Sequence, residues 1–243
     1  NKPLTDFVHA VVQYYRRKTE VATTSEGIPL IRVNRLRSGS DWMNHVSPGR
    51  ELNTIVYDDL VQEKLFDRIA WWMDNKPWYN ARGISYKYTA MLHGVAGTGK
   101  TSLSKVIATM YKRDIYSINL SLIESDAQLY DVFSCIPAGS IIIMDEVDSC
   151  DAVLSREAAM ARKQAADRAA EDSGLISNEY LSVKGRFNLS ALLDIMDGLV
   201  PLENMIILMT TNRLTDLDPA LVREGRTDEI IEVKPVGDAQ VRK

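Results

Sequence analysis

The stretch GVAGTGKT, residues 94–101, decides how the rest of the chain is read. It fits G-x-x-x-x-G-K-[ST] and stands between a short apolar run, AMLH at 90–93, and a helical run, SLSKVIATMY at 102–111. Strand, glycine-rich turn and helix in that order mark a phosphate-binding loop rather than a chance turn. In such a loop Gly94, Gly97, Thr98 and Gly99 bring backbone N–H groups onto phosphates at a helix N-terminus, where the dipole favours negative charge. Lys100 is then expected at the β- and γ-phosphates and the Thr101 hydroxyl on Mg²⁺.

Outward from this loop the chain alternates short apolar strands with helical stretches. Further strands are expected at 115–120 (IYSINL), 141–144 (IIIM), 205–209 (MIILM) and 230–233 (IIEV). Strands with no polar face belong to a parallel sheet covered on both sides, so the expected fold is α/β, the three-layer sandwich of P-loop NTPases. A helical pattern precedes the loop, opening near Asn53, running through Leu60, Val61, Leu65, Ile69 and Trp72 and ending around Asp74 to Pro77. Upstream lies a small α+β appendage. Helical spacing from Thr5 to Tyr15 is followed by a strand-like run at 28–36, and SGSDW (38–42) and SPG (47–49) read as turns. The appendage is assigned residues 1–52 and the α/β core residues 53–238.

Three further segments carry chemistry. IIIMDE at 141–146 is a strand that delivers two carboxylates at its C-terminal end, where open α/β sheets place their sites. Asp145 is expected to hold Mg²⁺ through water, and Glu146 to orient and deprotonate an attacking water. The strand at 205–209 runs into Thr210, Thr211, Asn212 and Arg213; if it neighbours the carboxylate strand, Asn212 contacts the γ-phosphate or that water. Arg223 and Arg226, before the last strand, are guanidiniums suited to bidentate phosphate contact. Their own chain has no evident use for them at its phosphates.

Composition excludes several function classes. There are 33 acidic against 29 basic residues, with no basic block, so nucleic acid is not an expected partner. Cys135 and Cys150 are too few for a disulfide framework and lack zinc spacing, which reads as a reducing, intracellular compartment. His9, His45 and His93 lie far apart, and no transition metal is expected. No apolar run reaches the ~18 residues of a membrane span. The chain opens at Asn1 rather than Met, the mark of a fragment, and any membrane anchor is expected outside it. The alanine-rich, charged stretch from Ser155 to Ser173 has no apolar stripe and is expected to be a solvated, mobile helix.

In order and spacing, GVAGTGKTS, IIIMDEVD, MTTNR and LDPALVREGRTD resemble the P-loop, Walker B strand, sensor asparagine and second region of homology of the AAA ATPase family. The resemblance implies ATP with Mg²⁺. It assigns Lys100, Thr101 and Ser102 to nucleotide and metal, Asp145 to metal, Glu146 to the base and Asn212 to the sensor. Arg223 and Arg226 become fingers acting on a neighbour's ATP in a homo-oligomeric ring of six or seven subunits. Residues 239–243 are similar to the start of the family's helical lid.

RELNTIV (50–56), DNKPWYNARGISYKYTAMLHGVAGTGKTS (74–102) and GRFNLSALLDIMDGL (185–199) further resemble the mitochondrial AAA translocases that move the folded Rieske iron–sulfur protein during complex III assembly. The appendage is similar to the end of their middle domain. Asp145-Glu146 keeps the general AAA order, whereas those members tend to show the reversed pair. The resemblance implies a protein substrate and a mitochondrial inner-membrane address, against a cytoplasmic one otherwise. Three other functions use similar parts. A threading unfoldase needs an aromatic-hydrophobic-glycine loop, absent from INLSLIESDAQLY (118–130); a DNA loader needs a basic stripe; a scaffold that binds without turnover needs neither Glu146 nor the two arginines.

Overall fold

A computed structural model describes residues 28–172, 187–198 and 202–235. The helix read at residues 5–15 and the lid segment at 239–243 lie outside these. One seven-stranded sheet organises the chain: β1 (Leu30–Ser38), β2 (Asp41–Pro48), β3 (Lys87–His93), β4 (Ile115–Ile118), β5 (Ile141–Met144), β6 (Met205–Thr211) and β7 (Glu229–Glu232). Their order across the sheet is β2-β1-β4-β5-β6-β3-β7, and every pairing except β1 with β2 is parallel.

Alternation along the central strands makes the layers. Ala90 and Leu92, Ile141 and Ile143, and Ile206 and Leu208 point to one core; Met91, Ile142, Ile207 and Met209 point to the other. Both sets are buried, which is why these strands carry no polar side. The first core is covered by α1, a continuous helix made of Asp59–Val61, a π-helical turn at Gln62–Asp67 and Arg68–Asp74, and by α3 (Lys100–Tyr111). The second is covered by α4 (Asp126–Ser134) and α6 (Leu189–Met196). Between α1 and β3 lies α2 (Lys76–Arg82), and after β5 comes α5 (Arg156–Asp172). Pro77 occupies the first turn of α2, where its missing N–H costs nothing, and so starts a helix instead of ending one.

Two readings of the N-terminal third change in the structure. Residues 41–48, which take in Asp41 and Trp42 of SGSDW and Ser47 and Pro48 of SPG, form β2, a strand rather than turns; only Gly39 and Ser40 turn the hairpin. Its burial alternates weakly because it is an edge strand, with Met43 and Val46 exposed, so its residues carry no core-facing pattern. The hairpin is also part of the main sheet. Val33, Asn34 and Arg35 pair with Ile115, Tyr116 and Ser117, and the buried Asn34 Nδ2 donates to the Ile115 carbonyl at 3.0 Å.

Helix α5 is solvated along most of its length, yet its first turns are anchored. The Ser155 hydroxyl accepts from Ala158 N, Ala158 and Ala159 pack on the core, and Arg162 donates to the carbonyls of Asp148 and Ser149 and pairs with Asp151 at 3.1 Å. A guanidinium on carbonyl oxygens thus does what an apolar stripe does elsewhere.

Trp72 is the largest fully buried side chain. Its ring stacks on Tyr86 with centroids 4.4 Å apart, the Arg113 guanidinium lies 5.5 Å from its centroid, and the Tyr86 hydroxyl donates to the Trp72 carbonyl at 3.2 Å. Trp72→Ala should therefore lower unfolding free energy by about 3–5 kcal/mol in urea titration, through lost transfer energy and an unfilled cavity. A change below ~1 kcal/mol would show that α1 contributes little to the core.

Candidate active site

The site gathers at the C-terminal ends of β3, β6 and β5, three neighbours in the sheet. After β3 the backbone turns sharply at Gly94, with φ 146°, and a Cβ there would lie 2.4 Å from the Val233 carbonyl oxygen. Only glycine fits against that strand end. Gly99 caps α3 in the left-handed region, φ 92°, which starts the helix with its N–H groups facing the loop.

Lys100 is 8% exposed, and its ammonium has three acceptors: the carbonyls of Gly94 at 2.8 Å and Val95 at 2.9 Å, and Asn212 Oδ1 at 2.9 Å. Burial lowers its pKa, and Asp148, Glu146 and Asp145 oppose that shift. The contact with Asn212 follows from sheet order. His93 and Thr211 are in register across β3 and β6, so the residues just past them meet.

On the other side of β6, Met144 is in register with Met209, which brings Asp145 level with Thr210. The Thr210 hydroxyl donates to Asp145 Oδ1 at 3.1 Å and accepts from Glu146 N at 2.9 Å. Thr101, from the first turn of α3, donates to the same Asp145 oxygen at 3.1 Å. Hydroxyl and carboxylate oxygens held together are the hard donor set that suits Mg²⁺, whose remaining ligands are ordinarily water and phosphate oxygens. Glu146 has φ 51° and ψ 52°, a left-handed conformation that costs a non-glycine residue roughly 1–3 kcal/mol. Its side chain is exposed and makes no hydrogen bond or ion pair among the described residues.

The sequence reading gave no role to Thr210, Asp148 or Arg50. Thr210, 2% exposed where the apolar run of β6 gives way to two threonines, orients both acidic residues; the buried hydroxyl beside MIILM was the available signal. Asp148 Oδ1 accepts from Asn212 N at 3.3 Å. Arg50 reaches from the linker after β2 to the Ser102 hydroxyl at 2.9 Å, and nothing local in the sequence announces that contact. Beside it, residues 51–53 and 55–59 line a cleft of about 800 Å³ with Leu52, Ile55, Val56 and Tyr57 among its walls.

Arg223 and Arg226 lie elsewhere. Arg226 Nε and Nη2 donate to the two Asp197 oxygens at 2.8 and 2.7 Å, and Nη1 donates to the Ala220 carbonyl at 2.9 Å. Lys87, the first residue of β3, donates to the Met196 carbonyl next to Asp197. That cluster therefore sits at the opposite end of β3 from Gly94, about 20 Å away at the rise of a strand. Arg223 is exposed and makes no side-chain hydrogen bond or ion pair among the described residues.

Against known families, residues 90–235 match the profile of the ATPase family associated with various cellular activities (AAA). The chain is 34% identical over 193 residues to the mitochondrial chaperone BCS1 of Bos taurus, covering 78% of this chain and 42% of that protein. With the Homo sapiens mitochondrial chaperone BCS1 the figures are 32%, 193 residues, 78% and 42%. With the probable mitochondrial chaperone BCS1-B of Dictyostelium discoideum they are 30%, 204 residues, 80% and 44%. The chain thus spans less than half the length of these relatives.

The Asp197–Arg226 pair gives a pH signature. Its hydrogen bonds from Arg226 hold the Asp197 carboxyl below its ordinary 3.8. A folded pKa below the unfolded one stabilises above about pH 4, and that contribution is lost as pH falls through the folded value. Asp197→Asn should therefore cost up to about 1 kcal/mol near pH 7, the scale for a half-exposed pair, with the deficit vanishing toward pH 2. Equal deficits in urea titrations at both pH values would show that the ion pair is not its source.

Proposed function

Because the chain belongs to the AAA family of ATPases, we propose that it binds ATP with Mg²⁺ and hydrolyses it at the boundary between subunits of a homo-oligomeric ring of six or seven, so as to move or remodel a folded protein. One observation carries the reading: the loop, acid and amide residues converge at one end of the sheet, while Arg223 and Arg226 stand at the other.

In this reading the backbone of Gly94, Gly97, Thr98 and Gly99 cradles the phosphates, with Lys100 and Ser102 as side-chain partners. Thr101 and Asp145 hold Mg²⁺, which supplies charge neutralisation across the phosphate oxygens when bound. Glu146 takes the proton of the attacking water, and its strained backbone aims an otherwise unpaired carboxylate. Asn212, already bonded to Lys100, reports the state of the γ-phosphate position to the Asp148 loop. The purine fits the cleft beside residues 51–59, whose apolar walls suit a flat ring. A strand's length separates a subunit's own loop from its own arginines, so Arg223 and Arg226 act on a neighbour's nucleotide. Arg226 does so from a fixed position, braced by Asp197, and Arg223 is free to move.

A folded rather than threaded substrate is supported by the segment after β4. It opens with a 3-10 turn, Leu120–Leu122, capped by Ile123; Leu120 and Ile123 are buried, and of these apolar side chains Leu122 alone is exposed. Such a turn offers no aromatic grip on an extended chain. Relatives named as mitochondrial chaperones support a mitochondrial address. No helix among the described residues is long and apolar enough to cross a bilayer.

Lys100→Ala should abolish tight ATP binding in a protein that still folds, since a charge-assisted phosphate contact is worth ~1.5–3 kcal/mol and the transition state needs it further. Near-normal nucleotide affinity and turnover in that variant would refute the site. Glu146→Gln should retain ATP and Mg²⁺ but stop hydrolysis, because the amide keeps the shape and loses the base. If Asp145→Asn alone gave that trapped state, metal ligand and base would be interchanged.

The trans arrangement is tested by mixing. Arg223→Ala should cut turnover by ~10³-fold or more, the scale of an arginine finger. Mixed with Glu146→Gln protein, it should recover activity at interfaces that pair an intact base with an intact finger. Failure to recover despite demonstrated co-assembly would place the arginine's action within one subunit.

A further inference from the structure

Arg50 stands where the phosphate loop and the cleft meet. It is the residue immediately before Glu51, where the lining of the cleft begins, and it touches Ser102, the residue after the metal-binding threonine of the loop. The surrounding protein holds its guanidinium firmly but incompletely. Nε donates to Thr54 Oγ1 at 3.2 Å, Nη2 to the Thr54 carbonyl at 3.1 Å and Nη1 to Ser102 Oγ at 2.9 Å. Its main-chain N–H donates to Thr109 Oγ1 at 2.8 Å, which fixes the base of the side chain on the same helix. Three of five N–H donors are thus used, leaving one on each terminal nitrogen for a further acceptor such as an oxyanion.

The charge balance points the same way. Arg50 makes no ion pair among the described residues, and the neighbouring Glu51 carboxylate accepts from Asn53 instead, at 3.2 Å. The first turn of α3 carries no acidic residue. Two cations, Arg50 and Lys100, thus stand at the positive end of a helix dipole; the acids of the β5 loop offset Lys100, whereas Arg50 has no ion-pair partner among the described residues and is open to an anion.

We propose that Arg50 is a nucleotide-binding residue that grips the α-phosphate, where the phosphate chain leaves Ser102 and turns toward the cleft. This rests on the nucleotide reading above and adds to it a contact from outside the phosphate-binding loop, made by the linker that joins the β1–β2 hairpin to α1. The contact is insensitive to the γ-phosphate. It sets the affinity for ATP and ADP alike, and it ties the linker to α3 more tightly when either is bound.

The test is calorimetric titration of ATP and ADP into the full chain and into Arg50→Gln and Arg50→Lys, with melting temperatures recorded without nucleotide. Arg50→Gln should weaken ATP and ADP by the same factor, roughly 10- to 100-fold, leaving their ratio unchanged. Arg50→Lys keeps the charge but loses the fork, and should weaken both several-fold. Unchanged affinities with a lowered melting temperature would make Arg50 a structural strap and overturn the proposal. A loss much larger for ATP than for ADP would place the guanidinium at the γ-phosphate and overturn it too. Should Arg50→Gln fail to fold, the Arg50→Lys titrations decide by the same criteria. Wild-type protein that bound neither nucleotide would instead remove the nucleotide site itself, a failure visible before any variant is made.

Discussion

Burial of β6 on both faces between β5 and β3 is the constraint on which the rest depends. All seven of its residues are buried, so its register with each neighbour is set by two cores at once and cannot slip by one residue without turning apolar side chains to the wrong layer. That register places Thr210 beside Asp145 and Asn212 beside Lys100. The polar residues at the strand ends are precise because the apolar residues beneath them are packed.

The chemistry at those ends is electrostatic bookkeeping without a ligand. Lys100 is buried and its three donors rest on two carbonyls and an amide, while the acids that support its charge lie on the β5 loop. Any anion taking up Lys100 must compete with Asn212, so the lysine and the amide cannot respond independently. Asn212 is bonded in turn to Asp148, and Arg162 of α5 is bonded to the Asp148 carbonyl. The hydrogen-bonded path from loop to α5 is therefore short, and it runs through the segment that carries Glu146.

The parallel sheet also separates what a single subunit can bring to one place. Residues before a strand and residues after it end on opposite sides of the molecule, and β7 is led in by Arg223 and Arg226 while β3 leads out to the phosphate-binding loop. Asp197 holds Arg226 in that outlying position. A lone chain with this topology has its lysine, amide and acid residues at one end of the sheet and the Asp197–Arg226 pair at the other.

Much of this was legible in the linear sequence because its signals are local. The loop pattern, the carboxylates after IIIM and the apolar runs of the buried strands each depend on a few adjacent residues, and they determined the fold class and the candidate residues. Edge strand β2 was not legible, since none of its residues is buried and its exposure alternates only weakly, so the turn-forming residues at its two ends dominate the local signal. Helix α5 was read correctly as solvated, but its anchoring through Arg162 uses carbonyls, which every residue has. Tertiary structure alone decided that the hairpin joins the main sheet, that Thr210 orients both acids, that Arg226 is braced by Asp197 and that Arg50 reaches Ser102. Those contacts bridge residues 29 to 82 apart in the chain, and their partners are brought together by strand order. No short window of sequence encodes strand order, because it is chosen by the packing of two whole cores rather than by the chemistry of any one segment.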